Sequence, residues 1–298
     1  MTTHNTNTQS VSQKRFSLPL AILFTSLPLM AIPAHAEHSS ENTAKKFHQR
    51  ISITPTEPAY TQDDIETEII FGRNLASRIL AKYPPLKAEK INQYINKVGL
   101  LLAEHSSRPE LNYHFIVLDA PIINAFAAPG GYIFITKGAL DQVQDEAELA
   151  GILAHEMAHI ELRHYIKKIG LKSQKSSKEK TLTAIISGGG ASAVNAFSQA
   201  LDETLDILFK KGLNSKKDEL ESDQYATWLL ANTGYDPTAL KRYFQRIQAL
   251  QTPETQVLTH THPPLKERIE HLDALIQNNQ LSQNQLVKLE ERFHENVQ

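Results

Sequence analysis

Apolar positions change their period along this chain, and each change marks an element. Ile65, Ile69, Ala76, Ile79 and Leu80 keep helical spacing, with Thr61, Asp63 and Asp64 as a capping signal before them and Pro84-Pro85 as a stop. Ile91, Ile95, Val98, Leu101 and Leu102 predict a second helix with one buried face. Between residues 111 and 137 the period drops to two. Tyr113, Phe115 and Val117 alternate along one strand, Ile122 to Ala127 predicts another, and Tyr132 to Thr136 a third after the turn Pro129-Gly130-Gly131. Helical spacing returns from Glu146 to about Lys168, then over about 198–211, 217–232, 237–250 and 264–277. The lysine- and serine-rich stretch 171–180 predicts a solvated loop, and no internal repeat is present.

The first 36 residues break this pattern. Lys14 and Arg15 precede an apolar run from Phe16 to Pro33, and Ala34-His35-Ala36 satisfies the small-x-small rule for cleavage, so residues 1–36 are expected to be a removable signal peptide. Pro19, Pro28 and Pro33 weaken the competing reading as a spanning anchor, which needs about 20 uninterrupted apolar residues. Leu182 to Phe197 is too short and too rich in glycine and serine to span a bilayer. The expected layout is a signal peptide (1–36), a polar linker (37–58), one catalytic domain (59–277) and a polar C-terminal tail (278–298). The mature chain is expected to lack a spanning segment and to reside in a bacterial periplasm.

Composition narrows the chemistry. With 298 residues and 41% hydrophobic types, the chain can build one substantial core. Its 31 basic and 33 acidic side chains nearly cancel, so the net basic field that nucleic-acid binding exploits is missing, and no nucleic-acid partner is expected. There is no cysteine, which excludes disulfides, thiolate metal sites and a cysteine nucleophile. Any metal must rest on nitrogen and oxygen.

Such a site is suggested by His155-Glu156-Met157-Ala158-His159. Four helical residues advance about 400°, so the two imidazoles lie one turn apart on one face and can share a zinc ion. Glu156, rotated by about 100°, flanks the open coordination position as a general base for a metal-activated water. The bland alternative is a polar face with two incidental histidines, but Leu149, Ile152, Leu153 and Ile160 make this helix apolar, and buried histidine and glutamate need partners. A catalytic zinc needs a third protein ligand. His164 falls about 180° from His155 on a continuous helix and is expected to point away. The acidic run 218–223 remains. Glu219 and Asp223 share a helical face, so Glu219 as ligand with Asp223 orienting a histidine is favoured over Glu221, which is expected to be a solvated charge.

These residues resemble peptidase family 48 of the metallopeptidases, the gluzincins that include HtpX-like, CAAX prenyl endopeptidase-like and BepA-like proteins. The resemblance runs from about Ile65 to Asp273. It rests on Asn124-Ala-Phe-Ala-Ala-Pro-Gly-Gly-Tyr-Ile-Phe-Ile-Thr136 with Gly138-Ala-Leu140, on Glu148 to His159, on Glu219-x-x-x-Asp223 followed by Gly234-Tyr-Asp-Pro237, and on Thr261-His262-Pro263-Pro264 with Arg268-Ile269. Ser222 stands where the family usually has alanine, a change of little expected consequence. The resemblance implies an α+β, mainly helical zincin-type domain with a small β-sheet, one zinc ion per chain, endopeptidase activity and Glu219 as the third ligand. It is greatest to the soluble, exported BepA-like branch, and implies misfolded or stalled envelope polypeptides as substrates. The tetratricopeptide-repeat domain of that branch is not expected within these 298 residues. A chaperone-like factor with little proteolysis is the alternative, but a pure binder has no need of Glu156.

Two further expectations concern substrate and His262. An extended peptide is expected to add beside the Ile122 to Thr136 strand pair, with Asn124, Phe126 and Phe134 as binding residues, because a sheet edge holds any sequence in register. Pro263 and Pro264 stiffen the loop that carries His262. Its ring could donate to an oxyanion, occupy the open metal position, or be a surface residue only.

Overall fold

The computed structural model describes residues 60–170, 190–213, 215–250, 252–253, 258, 261–281 and 287–297. The expected signal peptide, the linker and the 171–180 loop lie outside the described residues. Helix α1 (Gln62–Lys82) opens with a reciprocal cap: the Asp64 amide donates to the Thr61 hydroxyl at 3.2 Å, and the Thr61 amide donates to the Asp64 carboxylate at 2.8 Å. It stops before Pro84, which disfavours helical backbone at Tyr83. Its buried face is rotated from the predicted stripe. Phe71, Leu75, Ala76 and Ile79 are buried together with Glu68, whereas Ile65, Ile69 and Leu80 are half-buried. Glu68 tolerates burial because Arg108 forks onto it at 2.7 and 2.9 Å and the Gly130 amide adds a third donor at 3.2 Å. In α2 (Glu89–Ala103) Tyr94, Ile95, Val98 and Leu102 form the buried face, and Leu101, expected there, is 39% exposed.

Three strands follow: β1 (His114–Leu118), β2 (Ala125–Ala128) and β3 (Tyr132–Thr136). Tyr113, Phe115 and Val117 are buried as their alternation predicts. The sheet order is β1-β3-β2, with β3 parallel to β1 and antiparallel to β2. Gly130 and Gly131 make the β2–β3 turn at φ 78° and 99°, where a side chain would be strained. Strand β2 is therefore an edge. The Thr136 amide donates to the Asn124 carbonyl at 3.0 Å, so in the antiparallel alternation Ala125 and Ala127 turn their N–H and C=O groups outward.

A short α3 (Lys137–Leu140) leads into α4 (Glu146–Glu161), capped by Asp145, which accepts from the Glu148 amide at 2.9 Å. Every residue of α4 is buried. The helix was expected to reach about Lys168; instead it ends at Glu161, and Arg163 at φ 55° turns the chain into a separate α5 (His164–Ile169). A left-handed non-glycine residue costs about 1–3 kcal/mol and needs compensation. The Arg163 guanidinium supplies it, stacking 3.8 Å from the Tyr60 ring centroid and lying 3.7 Å from both Glu68 and Glu110. Helix α6 (Ala191–Asp206) closes in a π-helical turn, Ile207–Lys211. Then come α7 (Lys216–Thr233), α8 (Ala239–Leu250), α9 (Leu265–Asn278) and α10 (Glu290–Val297).

Helix α4 runs through the centre of this arrangement. It packs along α7 on one side and under β2 and β3 on another, with α2 and α8 also against it. The C-terminal segment holds its first turn: the Ala147 amide donates to the Lys288 carbonyl at 3.1 Å, Arg292 binds Glu146, and Phe293 is fully buried beside Tyr94.

Candidate metal centre

Helical spacing on α4 places His155 and His159 one turn apart, with their Nε2 atoms 3.2 Å from each other. From α7, Glu219 presents one oxygen to each: Oε2 lies 3.6 Å from His155 Nε2 and Oε1 lies 3.6 Å from His159 Nε2. All three side chains are buried, and Glu219 Oε2 has no hydrogen-bond partner among the described residues. Two imidazole nitrogens and one carboxylate oxygen, converging without sulfur, fit zinc, and an orphaned buried carboxylate oxygen fits a cation's donor set. The local sequence explains why α7 can deliver the carboxylate. Ser215 caps the helix by accepting from the Asp218 amide at 3.3 Å, and Gly234 ends it at φ 83°.

Asp223, one turn beyond Glu219, places Oδ1 3.0 Å from His155 Nδ1. A carboxylate there orients the ring and fixes which nitrogen faces the centre. Arg268, on the first turn of α9, forks onto Asp223 at 2.8 and 2.5 Å, lies 3.4 Å from Glu219, and rests on the Phe244 ring. Burial opposes ionisation of Asp223 and Glu219, yet Arg268 at Asp223, and the histidines with Arg268 at Glu219, hold both carboxyls below the ordinary range. Burial and Arg268 push His155 down, but Asp223 and Glu219 outweigh them and raise it to about 9. His159 is driven well below its ordinary value, first by burial.

Arg268 carries no role in the sequence reading, although the signal was present. Leu265, Arg268, Leu272 and Leu275 follow one buried stripe of α9, and an arginine in a stripe otherwise made of leucine needs a buried anion.

Glu156 lies on the same turn as His155, facing β2. Burial pushes its carboxyl up to about 7, with Glu219 adding to the shift and His155 opposing it, while the outward-turned Ala127 N–H donates to it. Glu156 and the sheet edge are thus in contact. His262 also reaches the centre. Its Nε2 is 3.9 Å from Glu219 Oε2, its Nδ1 is 2.9 Å from the Thr261 hydroxyl, and donor atoms of His155, Glu156 and His262 lie within 4.8 Å of one another. Burial lowers its pKa to about 4, so the ring is neutral near pH 7.

The three sequence-predicted substrate residues separate. Asn124 lines a cavity beside His155 and Glu156, closed by Ile152, Tyr243, Phe244 and Leu258, and both atoms of its buried amide lack partners among the described residues. Phe126 and Phe134 do not reach it. They are buried with ring centroids 5.2 Å apart, and Phe126 also packs edge-on against Phe209. Strand alternation sends them to the opposite face from Ala125 and Ala127, which makes them core residues. His164 was expected to point away, but the break at Arg163 brings its Nδ1 to 3.0 Å from His159 Nδ1.

A family model described as Peptidase family M48 matches residues 89–276. The beta-barrel assembly-enhancing protease of Escherichia coli K12 is 26% identical over 223 residues, covering 73% of this chain and 45% of that protein. The mitochondrial metalloendopeptidase OMA1 of Schizosaccharomyces pombe is 28% identical over 201 residues, covering 66% of this chain and 55% of the relative. Human mitochondrial metalloendopeptidase OMA1 is 30% identical over 172 residues, with 56% and 33% covered. The chain thus spans less than two thirds of the length of each of these relatives.

Proposed function

The chain belongs to peptidase family M48, and from that membership we propose that it is a zinc-dependent endopeptidase of the cell envelope. The observation that carries this reading is the buried three-donor set with a raised carboxyl beside it. His155, His159 and Glu219 would hold one zinc ion per chain. In such a set zinc supplies Lewis acidity and a water acidic enough to lose a proton near neutral pH. Glu156 would act as general base for that water and, because burial favours its protonated form, would then hand the proton on to the leaving amine. Asp223 holds the His155 ring, and Arg268 holds Asp223.

The peptide adds along the outer edge of β2, where Ala125 and Ala127 offer unpaired backbone groups and the Asn124 amide offers a donor and an acceptor. Backbone recognition of this kind suits a protease of low sequence specificity. Phe134 belongs to the central strand and takes no part.

His262 acts as a plug. A neutral imidazole whose ligand atom lies within 4.8 Å of those of His155 and Glu156 is near enough to take the place of an incoming carbonyl, and substrate would displace it. Its replacement by alanine raises basal cleavage; a fall of roughly 10²- to 10³-fold would instead assign it to the oxyanion.

The signal-like segment 1–36 supports export to the periplasm, and no helix among the described residues is long and apolar enough to cross a membrane. The naming of the bacterial relative for beta-barrel assembly supports misfolded or stalled envelope proteins as substrates. Casein-type cleavage by the full chain, with and without a chelator, tests the reading against a chaperone-like role. Loss of cleavage with chelator and its return with zinc are expected. Cleavage indifferent to chelator, or none from zinc-loaded protein, would refute it.

A further inference from the structure

We infer that His164 is a positioning residue for the metal centre: it takes the proton-bearing face of His159 and passes the contact on toward Glu221. The inference rests on the zinc reading above, which sets the direction of the proton on His159.

His159 directs Nε2 at Glu219 and at the Nε2 of His155. A neutral imidazole that gives this nitrogen to a metal carries its hydrogen on the other one. Nδ1 of His159 is then an obligatory donor in a fully buried place. Its partner is His164 Nδ1 at 3.0 Å, the two rings meeting edge to face at 74°. Two facing nitrogens share one hydrogen, so His164 accepts there and bears its own hydrogen on Nε2.

That second nitrogen is buried and has no hydrogen-bond partner among the described residues, and a carboxylate oxygen of Glu221 lies 3.8 Å from it. The Ser222 hydroxyl, 3.4 Å from His164 Nδ1, is a more distant companion on the accepting side. Serine here, expected to be a change of little consequence, thus lies against the His164 ring.

The two ligand histidines are thus treated alike by different means. His155 Nδ1 meets the Asp223 carboxylate directly at 3.0 Å. His159 Nδ1 meets a second imidazole instead, whose far nitrogen lies 3.8 Å from the Glu221 carboxylate. The left-handed Arg163 makes this possible, since an unbroken helix would carry His164 to the far side of α4. A metal-coordinating ring without its outer partner loses orientation and basicity, at a typical cost of about 10- to 100-fold in affinity.

Donor atoms of His164, Asp218 and Glu221 also lie within 4.8 Å of one another, as a second cation site would require. A cation on His164 Nε2 would need the lone pair there and would move the hydrogen to Nδ1, opposing that of His159. The relay and the cation exclude each other.

The test is zinc competition against a chromophoric chelator on the full chain, with folding checked by thermal melting. Asparagine at this position keeps an acceptor oxygen near the place of Nδ1, and leucine keeps the bulk without it. His164→Leu should weaken zinc binding by about 10- to 100-fold, and His164→Asn by no more than about 3-fold. Equal affinities for the two variants would overturn the relay. Should the leucine variant not fold, Glu221→Gln at the half-exposed end decides. A few-fold weaker affinity is expected, and an unchanged one overturns the proposal. Two zinc ions per wild-type chain, falling to one in Glu221→Gln, would replace the relay by a cation site. A wild-type chain that binds no zinc would fail the metal reading itself, whatever the variants do.

Discussion

Helix α4 carries two buried polar clusters, and they are built on opposite terms. At its first turn every charge is matched. Glu148, fully buried, receives Arg242 at 2.8 Å, Arg246 at 2.7 and 2.8 Å, and the Gln144 amide at 3.0 Å. Glu146 receives the hydroxyls of Tyr94 and Tyr235 and the guanidinium of Arg292. Two turns later the matching stops. Glu219 Oε2 and the Asn124 amide have no hydrogen-bond partner among the described residues, and the Glu156 carboxyl is raised to about 7. Saturated buried charges hold a fold together, whereas under-partnered ones at the same depth mark a place where something else must bind.

Mutations should therefore have different consequences at the two ends. The largest effect is expected from Glu219→Ala, which removes a metal donor. Zinc affinity measured by chelator competition should fall by more than the roughly 100-fold that loss of an outer partner can cost, with the fold intact because no buried cation is stranded. Retention of zinc at unchanged affinity would move the ligand elsewhere. Glu148→Ala should do the reverse. It leaves Arg246 without its anion, while Arg242 keeps Asp145 and Asp236, and should cost about 1–3 kcal/mol in denaturant unfolding, while the folded fraction still binds one zinc. A loss of zinc affinity without a shift of the unfolding midpoint would erase the contrast. Asp223→Ala sits between the two kinds. It should weaken zinc by about 10- to 100-fold through a misoriented His155, and it also strands Arg268, so a drop in stability should accompany the drop in affinity.

Much of this was legible in the chain, for physical reasons that can be named. Alternation at Tyr113, Phe115 and Val117, the apolar surroundings of His155 and His159, and the one-turn spacing of Glu219 and Asp223 are local properties. The order β1-β3-β2 is not, since the parallel pairing of β1 with β3 joins segments that no turn connects. Period two would place Asn124 and Phe126 on one face, but β2 begins only at Ala125, so Asn124 escapes the alternation, and the pattern does not tell which side of the sheet meets α4. The break at Arg163 left no mark either. Glycine or asparagine would have announced a left-handed residue, whereas arginine is held there by Tyr60, Glu68 and Glu110, which are distant in sequence. Without that break His164 and Glu221 looked unrelated to the metal. Glu68 and Arg108 escaped for the same reason, because burial of a charge is readable only once its partner is known.

The central claim is that the under-partnered end of α4 is a zinc centre whose general base is Glu156. It is tested most directly by measuring zinc content and peptide cleavage on one preparation each of wild type and Glu156→Gln. The substitution spares all three metal donors and removes only the base. Equal zinc in both proteins, with cleavage lower by roughly 10²- to 10⁴-fold in the variant, is the predicted result. Undiminished cleavage by zinc-loaded Glu156→Gln would contradict it.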